Sequence, residues 1–555
     1  MAAAHRKGRA KRTGNASKPG PAPDLKSKNR LHLIGGLETL CALALTALIV
    51  FLHVYRARQA GGLWRDEVAG LNTATLPSLS QVWSSLIYGT HPLLSYAVFR
   101  IWTGVRWLGN TDTSLRVLGA VIGVGIVLVL WLNKLLLGYR VPILALVLFS
   151  LNPQVILWGD SVRGYGLGSL LILLVYGLVW GVVQSPTTTR FVLAALVSIL
   201  AVQCLYQNAV LLFVICMGGF VVCLRKRMWK RMLVVIGIGA SGALSLLPYL
   251  PVISKSRSIY SIADFSQDSS VILGRFVDNL SFGSFPLLLA WFICCGFCIM
   301  ASVYLIHFQP KGQNPVGRQE QAIFSLTILV IVPLLLLLFT KSAEIAIQPW
   351  HFVAWMGPIT LSIDVLLELG STTPARRICR IAFVLVVACI TIPETWRLIQ
   401  DRQTNIDIIA KIVNEQASPE DLIVVNPWYC GVTFQRYYRG ATRKITVPPI
   451  QQLAIVRYDL LNEQVATENP LRPVFDAVEK TLSSGNRVWL VGVFSTPPKG
   501  TNPPPLPRER KGPDEPFIDN YQNALSLQLG QLIKFHARTG DRIDLHINQD
   551  RKSVV

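Results

Sequence analysis

Apolar runs of roughly 18 residues or more recur along this chain, and each is long enough to cross a bilayer as a helix. They fall at 31–55, 114–137, 141–158, 165–184, 190–207, 209–224, 232–252, 286–308, 321–340, 352–370 and 380–395. Charge is correspondingly scarce: 15% of the 555 residues are Asp, Glu, Lys or Arg, where a soluble chain carries about a quarter. This excludes a soluble multidomain enzyme and a disordered nucleic-acid tail protein. The expected fold is a polytopic α-helical membrane protein of about 11 transmembrane helices with a C-terminal extracytoplasmic α/β domain.

The net charge of +22 would by itself invite a nucleic-acid reading, so its placement matters. Residues 1–30 hold nine Lys or Arg against the single acid Asp24 and read as a disordered basic cytoplasmic tail. With that end inside, the short loops assigned to the cytoplasm carry Lys134 and Arg140, Arg190, the cluster Arg225 to Arg231, Lys311 and Arg318, and Arg376, Arg377 and Arg380. The placement requires that 91–108, with Arg100 and Arg106, lie along the outer surface, because two arginines are costly at bilayer depth. The span domain is 31–395 with a first outer loop at 56–113, and no nucleic-acid partner is implied.

Residues 396–555 have the composition of a soluble α/β domain. Strands are expected at Asp421–Asn426 and Arg487–Phe494, and helices at 401–417 and 518–537. Nine of ten cysteines fall in or beside the apolar runs and only Cys430 lies in this domain, so no disulfide framework is expected. Gly237-Ile-Gly239-Ala-Ser-Gly242 matches a dinucleotide motif but sits inside a span, where small residues let helices approach. Cys295-Gly-Phe-Cys298 also lies within a span and reads as inert packing. The histidines at 5, 32, 53, 307, 536 and 546 show no ligand spacing. The sequon at Asn279-Leu-Ser281 is left unassigned.

Four polar groups are delivered to the outer face: Asp66-Glu67 in the first outer loop, Thr90-His91-Pro92, Asp160-Ser-Val-Arg163-Gly-Tyr165, and Lys341 through His351. Each has a bland alternative. The acid pair suits a helix start, a lone His91 is more often a packing or capping residue, and Asp160 and Arg163 could simply pair with each other.

In order, side and spacing, these motifs resemble the GT-C glycosyltransferases, in particular the bacterial family 39-like enzymes that include protein O-mannosyltransferases and lipid A aminoarabinose transferases. Two positions depart from the family pattern: Asp160-Ser161-Val162 stands before Arg163 in place of Glu-Ala, and His351-Phe352 in place of Arg-Tyr. The resemblance implies a bacterial inner-membrane transferase that moves a hexosyl or pentosyl group from a polyprenyl phosphate to a hydroxyl of a glycan, lipid or protein, outside the cytoplasm. Asp66 is then the general base. Glu67 orients it, binds a sugar hydroxyl or helps to hold a cation. Arg163, with Lys341 and His351, receives the departing phosphate. His91, Asp160 and Tyr165 complete the substrate-binding set, with packing as the alternative for Tyr165. No cofactor is required, although a divalent cation held by Asp66, Glu67 and Asp160 is left open. A flippase for lipid-linked sugars and a membrane-anchored binding protein are the competing classes. Span interiors nearly free of charge count against the flippase, and eleven crossings against a simple anchor.

Overall fold

The computed structural model describes residues 25–262, 268–307, 317–343, 347–371, 373–495, 497–498, 502–509, 515–537, 539–541 and 543, with no side chain described before Leu33 or at Ala343. Residues 1–24 of the expected tail, Lys311 and Glu344 lie outside that set. Nine helices among the described residues are long and apolar enough to cross a membrane: Leu33–Gln59, Asp112–Leu137, Gly164–Gln184, Asn208–Arg225, Trp229–Tyr260, Phe285–His307, Arg318–Ser342, Pro349–Gly370 and Pro374–Ile399. Their outward faces carry large apolar side chains such as Leu128, Phe292 and Leu334, each more than 60% exposed. Apolar surface of that extent is stable only against lipid. The chain is an integral membrane protein.

Two of the eleven expected runs take another form. The stretch at 141–158 is broken, with a π-helical turn at Leu146–Ser150 and then a helix at Pro153–Gly159. Asn152 caps that second piece by accepting the Gln154 N–H at 2.8 Å, and Pro153 cannot continue the ladder behind it. The run at 190–207 yields the helix Thr188–Val202, whose 15 residues span about 22 Å. The stretch at 91–108 holds Leu93–Gly104, a 12-residue helix too short to span.

The glycine motif packs as small residues do: a Cβ on Gly242 would sit 2.3 Å from Leu212 Cδ2. Asn279 is buried within the helix Ser269–Ser281, and its side-chain amide donates to the Arg275 carbonyl at 3.0 Å, so the sequon is not presented to solvent. Where the basic loops gather, a buried charge network links three helices. Arg380 donates to Glu368 and to the Val141 carbonyl (3.2 Å) and lies 3.9 Å from Asp364 and 3.8 Å from Glu38, with Arg377 also 3.8 Å from Glu38. The fully buried Glu38 was not singled out from the sequence, because one acid in a long apolar run gives no sign of its partners.

The C-terminal domain is built on a three-stranded parallel sheet in the order β2-β1-β3, with β1 at Leu422–Asn426, β2 at Arg443–Thr446 and β3 at Val488–Gly492. Parallel pairing needs crossovers. The helix Cys430–Tyr437 supplies the first, and Tyr458–Ala466 with Arg472–Ser483 the second. β1 is buried along its whole length, as a central strand should be. β1, β3 and the flanking helices Ile406–Gln416 and Phe517–His536 lie where the sequence indicated. β2, half of it exposed, lacks the apolar run that marked the other strands.

This domain is clamped to the bundle. Gln403 N–H donates to the Ala60 carbonyl at 2.8 Å, and Arg56 donates to the carbonyls of Ile399 and Asp401 and to the Gln403 side chain. Arg436 donates to Asp112 at 2.6 Å, Tyr437 Oη donates to the same carboxylate, and Leu63 N–H donates to Tyr437 Oη at 2.6 Å. Asp112→Ala should therefore lower the stability of the docked state by about 2 kcal/mol, the scale of hydrogen bonds to a charged group. Faster proteolysis between residues 399 and 405 in detergent, without loss of helical circular dichroism, is the expected signature.

Candidate active site

The loop after the first span turns on two glycines. Gly61 has φ +67°, and a Cβ there would lie 2.4 Å from Arg402 Cζ; one on Gly62 would meet Asp407 Cγ at 2.9 Å. The chain then enters the helix Arg65–Ala74, whose first turn carries both acids, where the helix dipole favours negative charge.

The two acids meet different surroundings. Glu67 is fully buried and accepts four hydrogen bonds. Arg116 donates to both carboxylate oxygens, at 2.6 and 2.9 Å, Val162 N–H donates at 2.8 Å, and Trp64 N–H at 3.0 Å. Arg116 also donates to the Gly62 carbonyl at 2.8 Å. Glu67 thus joins the loop, the helix Asp112–Leu137 and the segment before Arg163, with no oxygen left over.

Asp66 is engaged on one oxygen only. Oδ1 accepts from Arg65 Nε at 2.7 Å, while Oδ2 accepts no hydrogen bond from the described residues, and the side chain is 18% exposed. Burial pushes its carboxyl up, but the charges of Arg65 and Arg163 outweigh this and hold it below the usual range. Arg65 is itself held 4.5 Å over the ring of Tyr429, a residue of the C-terminal domain. Arg163 donates to the Asp66 carbonyl at 3.0 Å and to Thr90 Oγ1 at 3.1 Å.

Asp160 does not pair with Arg163. Its carboxylate lies 2.8 Å from Nδ1 of His53, both side chains being buried. Gly119 and Gly123 make room: Cβ atoms there would fall 1.9 Å from the Asp160 carbonyl oxygen and 2.3 Å from its Oδ1. His91 bonds Thr90 through Nδ1 at 3.0 Å and packs edge-on against Tyr165, ring centroids 5.0 Å apart. Burial, then the nearby Arg163 and His351, hold His91 well below the ordinary histidine range, so it is neutral. His351 accepts the Gln348 N–H on Nδ1 at 3.0 Å, which assigns its neutral form a proton on Nε2. That ring lies 6.1 Å from Tyr165. Lys341 stands apart: it is exposed at the end of the helix Arg318–Ala343 and forms no hydrogen bond or ion pair with these groups. The structure thus brings Asp66, Glu67, His91, Arg163, Tyr165 and His351 together, with Asp160 one layer behind.

Trp64, Trp158 and Trp350 close one side of this group, with ring centroids 4.6 to 5.6 Å apart, and Trp350 lies 6.5 Å from Tyr165. The donor set does not fit a divalent cation. Glu67 is saturated by Arg116 and backbone N–H groups, Asp160 is buried against His53 one layer behind, and Asp66 faces two guanidiniums. Among the described residues no group of three or more His, Cys, Asp or Glu side chains is placed to hold a metal.

The sequence reading missed Arg65, Arg116 and His53 as parts of this site. Arg65 was within reach, since it stands beside the acid pair; the other two find partners 49 and 107 residues away, which spacing rules cannot see. Replacing Glu67 by Gln leaves Arg116 buried without a counter-charge, an expected loss of about 3–5 kcal/mol. Thermal unfolding in detergent checks this, and Glu67→Gln with Arg116→Met should recover part of the loss. Full additivity of the two changes would show that they do not act as a pair.

No protein-family model matches the chain, and no curated protein matches it. Among solved structures it is similar to ArnT from Cupriavidus metallidurans bound to undecaprenyl phosphate, at 12% identity and a TM-score of 0.47, covering 77% of this chain and 91% of that one. It is also similar to an Archaeoglobus fulgidus oligosaccharyltransferase (13% identity, TM-score 0.42, 73% and 62% covered) and to the arabinosyltransferase EmbB from Mycobacterium smegmatis (12%, 0.34, 59% and 30%). These are GT-C superfamily glycosyltransferases.

Proposed function

We propose that this protein is a membrane glycosyltransferase that moves a sugar from a polyprenyl-phosphate donor to an acceptor hydroxyl, with Asp66 as general base. The observation that carries the reading is the asymmetry of the acid pair. One carboxylate is spent on structure, and its neighbour is kept ionised with an oxygen free. A hydroxyl is a weak nucleophile, and a carboxylate oxygen within hydrogen-bond reach takes its proton as the sugar carbon becomes oxocarbenium-like. The departing phosphate gains negative charge, which Arg163 stabilises with Arg65 nearby. His351 contributes as a neutral donor through Nε2 rather than as a cation. Tyr165 and the tryptophan cluster offer aromatic faces for the sugar ring. Glu67 is a positioning residue, and so is Asp160, whose contact with His53 anchors the segment that leads to Arg163. Lys341 would reach the donor only at the rim. Phosphate as leaving group makes a nucleotide-binding fold unnecessary.

The orientation follows from charge. The site lies at the end of the bundle that carries the C-terminal domain, and the basic loops gather at the other end. By the positive-inside tendency that other end is cytoplasmic, so the site and the domain face outward.

Asp66→Asn should cut transfer by about 10²–10⁴-fold, the range for loss of a general base, with unchanged folding. The assay is transfer from a polyprenyl-phosphate sugar in detergent; near-normal turnover by the variant would sink the assignment. Because the base works ionised and its carboxyl is held below the usual range, the acid limb of the rate profile should lie below the ordinary Asp value. Arg65→Gln removes a cation that lowers the Asp66 pKa, so the acid limb of the rate profile should move to higher pH. An unmoved limb would mean that Asp66 is not the titrating base.

A further inference from the structure

The C-terminal domain contains a cavity of about 590 Å³ along β2, away from the acid pair. Its wall includes Arg443 and Lys444 of β2, and the amides of Gln435, Gln451, Gln464 and Asn469. No carboxylate lines it. Arg443, Lys444 and the neighbouring Arg439 form no ion pair among the described residues, whereas Arg402, Arg436, Arg457 and Arg487 of the same domain each have an Asp partner. The ammonium of Lys444 sits 5.7 Å over the Tyr438 ring, and partial desolvation together with the charge of Arg439 holds it below the usual lysine range. Positive charge is thus concentrated here without its counter-ion. Amides donate and accept at once, which suits vicinal hydroxyls, while the two cations suit a carboxylate or phosphate. The size lies within the usual range for ligand pockets.

The cavity also connects to the acid pair through one helix. Gly431, Phe434 and Gln435 of Cys430–Tyr437 line the cavity, and a Cβ on Gly431 would come within 2.8 Å of Thr446 Cγ2. Tyr429, just before that helix, lies under Arg65, and Arg436 and Tyr437 hold Asp112 and Leu63. A chain seated in the cavity is therefore registered against the element that supports the Asp66 partner.

We propose that this cavity binds an anionic glycan, a polymer bearing carboxylate or phosphate groups, as the acceptor for transfer. Its role as acceptor site rests on the glycosyltransferase reading; the binding itself does not. The test is calorimetric titration of the full-length protein in detergent with an oligogalacturonide, a phosphorylated oligomannoside and a neutral malto-oligosaccharide of equal length. Binding of one or both anionic glycans is expected, with none of the neutral one, and the arm that binds identifies the anion. Arg443→Ala with Lys444→Ala should weaken that binding by at least roughly tenfold. Both side chains are exposed, so folding should be intact, and Gln435→Ala provides a second variant on a different element. Equal binding of the neutral glycan, no binding of any glycan, or anionic binding unchanged in both variants would overturn the proposal. Asp66→Asn should bind the glycan normally. Loss of transfer with retained binding, or the reverse, thus separates failure of the cavity from failure of the catalytic reading.

Discussion

The buried pair of Glu67 and Arg116 is the interaction on which the rest of the site depends. Each ion removed from water costs several kcal/mol, and only near-ideal geometry offsets that. Here the guanidinium meets the carboxylate on both oxygens, and the remaining acceptor capacity is filled by two backbone N–H groups. One of these belongs to Val162, the residue before Arg163, so the pair fixes where Arg163 starts. Successive residues on a helix point about 100° apart, at 3.6 residues per turn. Anchoring Glu67 inward therefore turns Asp66 toward the partly open side. Adjacency in sequence produces a division of labour because the helix separates the two directions.

The C-terminal domain is part of the same construction. Arg65, which holds Asp66 through Oδ1, is itself held by Tyr429, and the helix carrying the acids begins two residues after Leu63, whose N–H is tied to Tyr437. The helices alone would leave Arg65 without that aromatic support. A domain that looks separable by composition is thus coupled to the bundle by these polar contacts and by a shared buried apolar cluster, in which Leu63, Val68, Leu115 and Leu118 lie with Leu422, Val424 and Trp428.

How much of this was legible in the sequence depends on whether the signal was local. Apolar length located nearly every span, and two arginines sufficed to keep the segment around Leu93–Gly104 from being read as a crossing. Alternation and burial exposed β1 and β3, but β2 carries charge at the start of an edge strand and gives no such run. The break at 141–158 was marked by Asn152-Pro153, whose capping chemistry was present but overshadowed by hydropathy. Pairings were the least legible. Asp160 and Arg163 are close enough in sequence to suggest each other, yet each takes a more distant partner, because His53 is brought against Asp160 by the glycine face of another helix. Partner choice is tertiary, and spacing within one segment carries no information about it.

The electrostatics of Asp66 give the site a further property. Burial alone would push this carboxyl up, and the two arginines more than cancel that tendency. A carboxylate held so low is a weak base while the site is empty. A phosphate donor engaging Arg163 would share that guanidinium's charge and reduce its hold on Asp66. The carboxyl pKa then rises toward the range in which a general base is more effective. Under the proposed reading, donor binding itself raises the basicity of the group that activates the acceptor, and the free enzyme keeps a poor base before water. The coupling needs no moving part, only a cation shared between a carboxylate and an incoming anion.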